Sequence, residues 1–149
     1  MRISRSFITI FLAITCFGSA FQLKAQQTEF RISNATLRKQ VISVIEGQLE
    51  AFRLHDLNKA FSYASVSLQR HLPQAIFMSV AMQNYPEIWA NASADFGLVK
   101  DNQLHSTIQV RVIAQDGSYA SYDYDLAYES GTWKIDGILR HQQKKTPAA

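Results

Sequence analysis

Tyr122-Asp123-Tyr124-Asp125-Leu126-Ala127-Tyr128-Glu129-Ser130-Gly131-Thr132-Trp133-Lys134-Ile135-Asp136-Gly137-Ile138-Leu139 alternates bulky apolar residues with polar ones on either side of a Ser-Gly turn. A period of two sends successive side chains to opposite faces of a strand, so the stretch reads as a hairpin with one apolar face. Cross-strand partners must share a face, and Tyr128 opposite Trp133 with Leu126 opposite Ile135 meets that condition. Tyr122, Tyr124, Leu126, Tyr128, Trp133, Ile135 and Leu139 are then expected inside. Asp123, Asp125, Lys134, Asp136 and Arg140 fall outside, with Asp125 facing Asp136.

Upstream, Leu104, Ile108, Val110 and Val112 continue the alternation, with His105, Gln109 and Arg111 on the polar side. A two-residue turn at Asp116-Gly117 would set Val112 against Ser121 and mix the faces. A three-residue loop, Gln115-Asp116-Gly117 with Gly117 left-handed, pairs Val112 with Ala120 and Val110 with Tyr122. A fourth strand is expected over 94–99, with Phe96 and Leu98 on one face and Gly97 marking a bend.

Before Tyr85-Pro86 the period changes to that of helices. Leu37, Val41, Val44, Ile45 and Phe52 lie three or four residues apart behind a capping Asn34 or Thr36, which predicts a long helix ending near His55. Asp56 caps a short second helix with Leu57, Ala60, Phe61 and Ala64. Pro73 opens a third, with Ile76, Phe77, Val80 and Ala81 inward, and Pro86 stops it. The expected fold is α+β: three N-terminal helices packed on a curved four-stranded antiparallel sheet, one domain over 34–141 with a flexible polar tail at 142–149.

Gln48-Leu49-Glu50-Ala51-Phe52, Ala60-Phe61-Ser62-Tyr63-Ala64-Ser65, Leu68-Gln69, Phe77-Met78, Tyr85-Pro86, Phe96-Gly97 and the closing Gly131-Thr132-Trp133-Lys134-Ile135-Asp136-Gly137 follow one another in an order that resembles the bacterial domain of unknown function 4864 family. The likeness covers roughly residues 41 to 139. It implies the cone-shaped nuclear-transport-factor-2-like (cystatin-like) fold. That superfamily holds isomerases, dehydratases, immunity proteins and adaptors, so it implies no particular activity.

The first residues point to export. Arg2 and Arg5 precede an uncharged, mostly apolar run, Phe7 to Phe21, the length of a signal h-region and short of the roughly twenty residues a spanning helix needs. Gly18-Ser19-Ala20 or Leu23-Lys24-Ala25 offers the cleavage site, and the second is preferred because polar Gln26-Gln27-Thr28 follows it. A cleaved signal over 1–25 would place the domain in the periplasm or outside the cell, with no membrane attachment thereafter. An uncleaved anchor is the alternative.

Removing that segment changes the charge argument. Arg2, Arg5 and Lys24 account for the whole excess of 15 basic over 12 acidic residues, leaving twelve of each. A neutral chain gives no support to nucleic-acid binding. The single cysteine, Cys16, leaves with the signal, which excludes a disulfide or thiolate metal site in the remainder. Asn34-Ala35-Thr36 and Asn91-Ala92-Ser93 match the glycosylation triplet, a pattern that chance produces often.

Function is less legible. By parity the concave face carries no carboxylate, and its polar groups are the hydroxyls of Ser106, Tyr122, Tyr124 and Tyr128 with Tyr63 from the second helix. Phenols with an ordinary pKa of about 10 orient ligands but are poor bases. These residues and Trp133 read either as aromatic core or as the lining of a site for a small apolar ligand. No catalytic residue, metal site or cofactor site is identified, since the four histidines are scattered and no phosphate loop or nucleophile elbow is present. The expected role is a non-catalytic exported domain binding an apolar small ligand or a protein partner. The alternatives are an isomerase or hydratase using a buried acid-base, with His71 or Asp56 as its source, and a homodimer joined through the outer sheet face.

Overall fold

The structure is a computed structural model, and it describes residues 29–141. The expected signal and tail lie outside the described residues. Helix α1 (Ala35–Arg53) begins where the Asn34 side chain accepts the Leu37 N–H at 2.9 Å, filling one of the donors a helix start leaves open. Its inward stripe of Val41, Ile45, Gln48, Leu49 and Phe52 is buried, and each aliphatic side chain contributes about 1.5–3 kcal/mol. The helix ends at Leu54, the next residue His55 turns left-handed at φ 56°, and Asp56 caps α2 (Leu57–Ser62) by accepting the Lys59 N–H.

Beyond α2 come α3 (Val66–His71), α4 (Gln74–Asn84) and α5 (Pro86–Trp89), so the chain has five helices among the described residues rather than the three expected. Ser65 caps α3 by accepting the Leu68 N–H. Pro86 was expected only as a stop. It also occupies the first turn of α5, where its missing N–H costs nothing and its fixed φ favours the helix. On α4, Phe77 and Ala81 face the core as expected, while Ile76 is exposed.

The sheet has six strands, not four: β1 (Arg31–Ile32), β2 (Asn91–Phe96), β3 (Lys100–Asp101), β4 (His105–Ala114), β5 (Tyr119–Glu129) and β6 (Thr132–Arg140), all antiparallel, in the order β1-β3-β4-β5-β6 with β2 also on β4. Of the fourth strand expected over 94–99 only the first half forms, as the end of β2, and a separate strand, β3, starts at Lys100. β2 pairs with the far half of β4 and β3 with its near half, and the chain leaves the sheet between them at Gly97–Val99. Leu98, expected beside Phe96, therefore projects into solvent. Leu104 is 64% exposed rather than inside, because the Asn102 side chain accepts the N–H groups of Leu104 and His105 and holds them in a turn before β4 begins.

Gly97 sits against β4 so closely that an added Cβ would lie 2.9 Å from the Gln109 carbonyl oxygen, a backbone atom unable to step aside. Gly97→Ala is expected to cost about 1–3 kcal/mol, the range for overpacking. Equilibrium urea unfolding measures it, and an unchanged midpoint would show that the edge relaxes freely.

The β4–β5 hairpin has the expected three-residue loop: Gly117 is left-handed at φ 84°, Val112 pairs with Ala120 and Val110 with Tyr122. In β5–β6 the pairs Tyr128 with Trp133 and Leu126 with Ile135 also form. Asp125, however, faces Gly137 rather than Asp136, because β6 carries one extra residue at Asp136. The Asp136 carboxylate accepts the Ser65 hydroxyl at 2.5 Å, and Ser65 N–H and Tyr63 carbonyl bond the two sides of Ile135 at 2.7 and 2.8 Å. The bulge is thus fixed by the α2–α3 connection. Past it the faces exchange: Leu139, expected inside, is 66% exposed, while Ile138 and Arg140 take the inner side opposite Tyr124 and Tyr122.

Candidate functional site

The exchange of faces brings Arg140 to a residue that alternation did not reveal. Glu87, on α5, is buried, with its side chain 8% exposed and that of Arg140 39%. Arg140 Nη2 donates to Glu87 Oε1 at 2.6 Å and its Nε to Oε2 at 3.2 Å, while the Tyr122 hydroxyl donates to Oε2 at 2.5 Å. Burial raises the Glu87 carboxyl, but the bonds from Arg140 and Tyr122 outweigh it and hold the group below the usual glutamate value. Burial and the neighbouring carboxylate raise Tyr122. The expectation of a concave face without a carboxylate is therefore corrected, and so is the outward placement of Arg140. The missed signal was the Pro-Glu pair, which marks a helix start.

Beside this group lies a cavity of about 60 Å³ under α1, α3, α4, α5 and the end of β6. Phe52, Leu68, Leu72, Phe77, Ile88 and Ile138 supply most of its wall, and Gln48 and Tyr85 its polar atoms. The Tyr85 hydroxyl donates to the Ile138 carbonyl at 3.0 Å, and burial raises its pKa. Gln48 is 2% exposed, and its amide N–H reaches the Ala60 carbonyl at 3.4 Å. That bond fixes the orientation of the amide and leaves Oε1 without a donor among the described residues.

The six residues read from the sequence as a ligand lining fall in three places. Ser106, Tyr122 and Tyr124 are buried in the core. Tyr122 stands behind the cavity, its ring 6.0 Å from that of Tyr85, and burial raises Tyr124 strongly. The hydroxyls of Ser106 and Tyr124 find no partner among the described residues. Tyr128, expected inside, is instead exposed near the end of the hairpin; its ring lies 5.1 Å from that of Trp133 at a tilt of 58°, and the two line a separate hollow with Gln40, Ser43 and Thr132. Tyr63 packs its phenol on α1 at Gly47, where a Cβ would meet the hydroxyl at 2.4 Å.

His71 and Asp56, the residues considered for acid-base work, are both exposed and engaged locally, His71 Nδ1 with the Ser67 carbonyl and Asp56 as the cap of α2. Asn91, in one of the two glycosylation triplets, is fully buried. Its amide donates to the Leu49 and Ile88 carbonyls at 2.9 and 2.8 Å and accepts from Arg53 at 2.7 Å, so the folded chain offers no acceptor there. Among the described residues no three His, Cys, Asp or Glu side chains are grouped to hold a metal ion.

The model of a family described as a domain of unknown function, DUF4864, matches residues 34–148. The chain belongs to this family. The DUF4864 domain is similar in fold to the crystal structure of an NTF-2-like protein of unknown function from Shewanella oneidensis MR-1, with 14% identity and a TM-score of 0.52 over 71% of this chain and 99% of that one. At that identity the likeness shows the fold alone, and it supports the nuclear-transport-factor-2-like α+β architecture expected from the sequence. The DUF4864 chain matches no curated protein.

Proposed function

We propose that this DUF4864 domain is an exported, non-catalytic binding protein that holds a small apolar ligand in the cavity between the helices and the end of β6. The observation that carries the proposal is the wall itself: nearly all of its residues are apolar, yet it is not filled by its own side chains. Export rests on the basic, apolar and small-residue succession of residues 1–25. No helix among the described residues is long and apolar enough to cross a membrane. The isomerase or hydratase alternative needs a free buried acid or base. Glu87 is buried, but both its oxygens are engaged by Arg140 and Tyr122 and its lowered pKa keeps it ionised, which suits an anchor better than a proton carrier.

Val80 lines the cavity from α4 and is only half-buried, so Val80→Phe fills the space without displacing the core. Cyclopropane, chloroform, 1-propanol and acetone form a suitable panel, small enough for a space well below the roughly 150 Å³ that accepts benzene. A compound present at about 100 times its dissociation constant adds about 2.7 kcal/mol to stability. The expected result is a raised unfolding midpoint in the wild type and none in Val80→Phe. A wild type indifferent to the whole panel would sink the proposal.

A second reading, the homodimer, is favoured by the outer sheet face. Leu98 and Leu139, both exposed, border a hollow with Thr107, Gln109, Asp123 and Asp125. Light scattering at millimolar protein would show a dimer, and a monomer throughout disposes of it.

A further inference from the structure

We propose that the hollow between the first half of α1 and the end of the β5–β6 hairpin is a second binding site, and that it takes one pyranose ring of a neutral sugar. The hollow measures about 160 Å³ and shares no lining residue with the cavity under α4. Its wall joins an aromatic surface to uncharged polar groups. Tyr128 is exposed there, with the Trp133 ring 5.1 Å from its own. Trp133 is only 3% exposed, yet among the described residues nothing accepts its indole N–H, and that nitrogen is not sealed from solvent. An indole N–H can only donate, so it stands ready for an acceptor on its open side. The Gln40 amide on α1 and the Thr132 hydroxyl on β6 are exposed and make no hydrogen bond among the described residues, so each offers both a donor and an acceptor. Ser43 gives its proton to the Gln40 carbonyl at 2.8 Å and keeps its lone pairs.

A pyranose has the matching halves. Its axial C–H bonds form a weakly positive, apolar face suited to the negative face of an aromatic ring, and each of its hydroxyls both donates and accepts. The ring lies on Tyr128, whose side chain has few rotatable bonds and is held by its contact with Trp133 before any ligand arrives. The hydroxyls along its edge meet the Trp133 N–H, the Gln40 amide and the Thr132 hydroxyl. No lining residue is charged, so a carboxylate, phosphate or ammonium would lose hydration with no counter-charge to replace it. A purely apolar ligand would leave the polar groups of the wall without partners. Size sets the last condition: the hollow is close to the roughly 150 Å³ that accepts one benzene ring, which admits a single sugar ring with its outer hydroxyls in water.

The test follows the indole N–H resonances of the full chain, which has two tryptophans, told apart with Trp89→Phe. Methyl β-glucopyranoside, methyl β-galactopyranoside and N-acetylglucosamine are titrated alongside glycerol, which has hydroxyls and no ring face, glucuronate, which adds a charge, and adenosine, whose base can stack. The expected result is that at least one of the three neutral pyranoses moves the Trp133 signal and leaves that of Trp89 in place, saturating with a dissociation constant on the order of millimolar. Tyr128→Ala then weakens binding about tenfold, the reach of one aromatic contact, and Gln40→Ala by several-fold, up to about tenfold. Both side chains are exposed, so neither variant is expected to unfold the domain, and an unmoved Trp89 signal checks this. No shift of the Trp133 signal with any neutral pyranose at about 50 mM, well above such a dissociation constant, overturns the proposal. An equal shift with glycerol, or undiminished binding in Tyr128→Ala, overturns it by removing the ring contact. Glucuronate or adenosine binding more tightly than every neutral pyranose overturns the ligand class.

Discussion

Asn91→Asp is expected to destabilise the domain by about 2–4 kcal/mol at neutral pH, lowering the unfolding midpoint by roughly 10–20 °C for a chain of this size. The substitution changes one NH₂ group for an oxygen. In the wild type that NH₂ donates to the Leu49 carbonyl on α1 and the Ile88 carbonyl on α5, while the amide oxygen takes the Arg53 guanidinium, so a single buried side chain joins two helices to the start of β2. A carboxylate would set a charged oxygen against both carbonyls. The folded state would therefore hold the new carboxyl protonated, with a pKa above the ordinary aspartate value of about 4. A raised folded-state pKa makes the penalty complete above that raised value and progressively smaller as the pH falls through it. Urea unfolding at pH 7 and pH 5 checks this. A cost below 1 kcal/mol, or one independent of pH, would show that the two carbonyls do not depend on Asn91.

Glu87→Gln is expected to cost about 1.5–3 kcal/mol, a cost that likewise fades in acid but over a lower pH range. Truncating one member of a fully buried ion pair costs about 3–5 kcal/mol, and the smaller figure applies because Arg140 keeps part of its hydration. The Glu87 carboxyl titrates below its ordinary value in the folded state, so its stabilisation is whole above the unfolded value of about 4.3 and is lost as the pH falls through the lower folded one. Wild type and variant should therefore differ most near neutrality and converge in acid. A gap that stays constant down to pH 3 would show that the carboxylate charge contributes nothing and that only packing was lost.

Alternation from Gln109 to Ile135 was enough to find the hairpins, their registers and the buried aromatic row, because both faces of those strands see constant surroundings. The long helix and its capping Asn34 were equally legible, since cap and stripe are local properties. What could not be read lies at three places where one residue changes the frame. Asp136 adds a residue to β6 because Ser65, seventy-one positions earlier in the chain, holds its carboxylate. Neither the pairing nor the change of side for Ile138, Leu139 and Arg140 has a local signature. Pro86 ends one helix and begins the next, and reading only the first half of that role hid Glu87. Gly97 follows the end of a strand that periodicity carried on to Val99. Tyr122 and Tyr124 are inward as expected and Tyr128 is not; whether an inward phenol meets open space or other side chains depends on the helices above it. Those include α3 and α5, too short to announce themselves by period.

The divided flank of β4 has a meaning for how the molecule behaves among its own copies. An uninterrupted border of unpaired backbone N–H and C=O groups is a template on which a second chain can crystallise into a fibre. Here one flank of β4 is shared between two short pieces out of line with each other, with a register fault between Asn91 and Ser93 and an excursion at Gly97–Val99. At the opposite limit of the sheet, the segment around Ala64 already occupies β6 by a parallel bridge to Ile135. A sheet so rich in apolar β-formers is thereby kept from recruiting its neighbours, and concentrated solutions of the folded domain should remain free of thioflavin-positive aggregates.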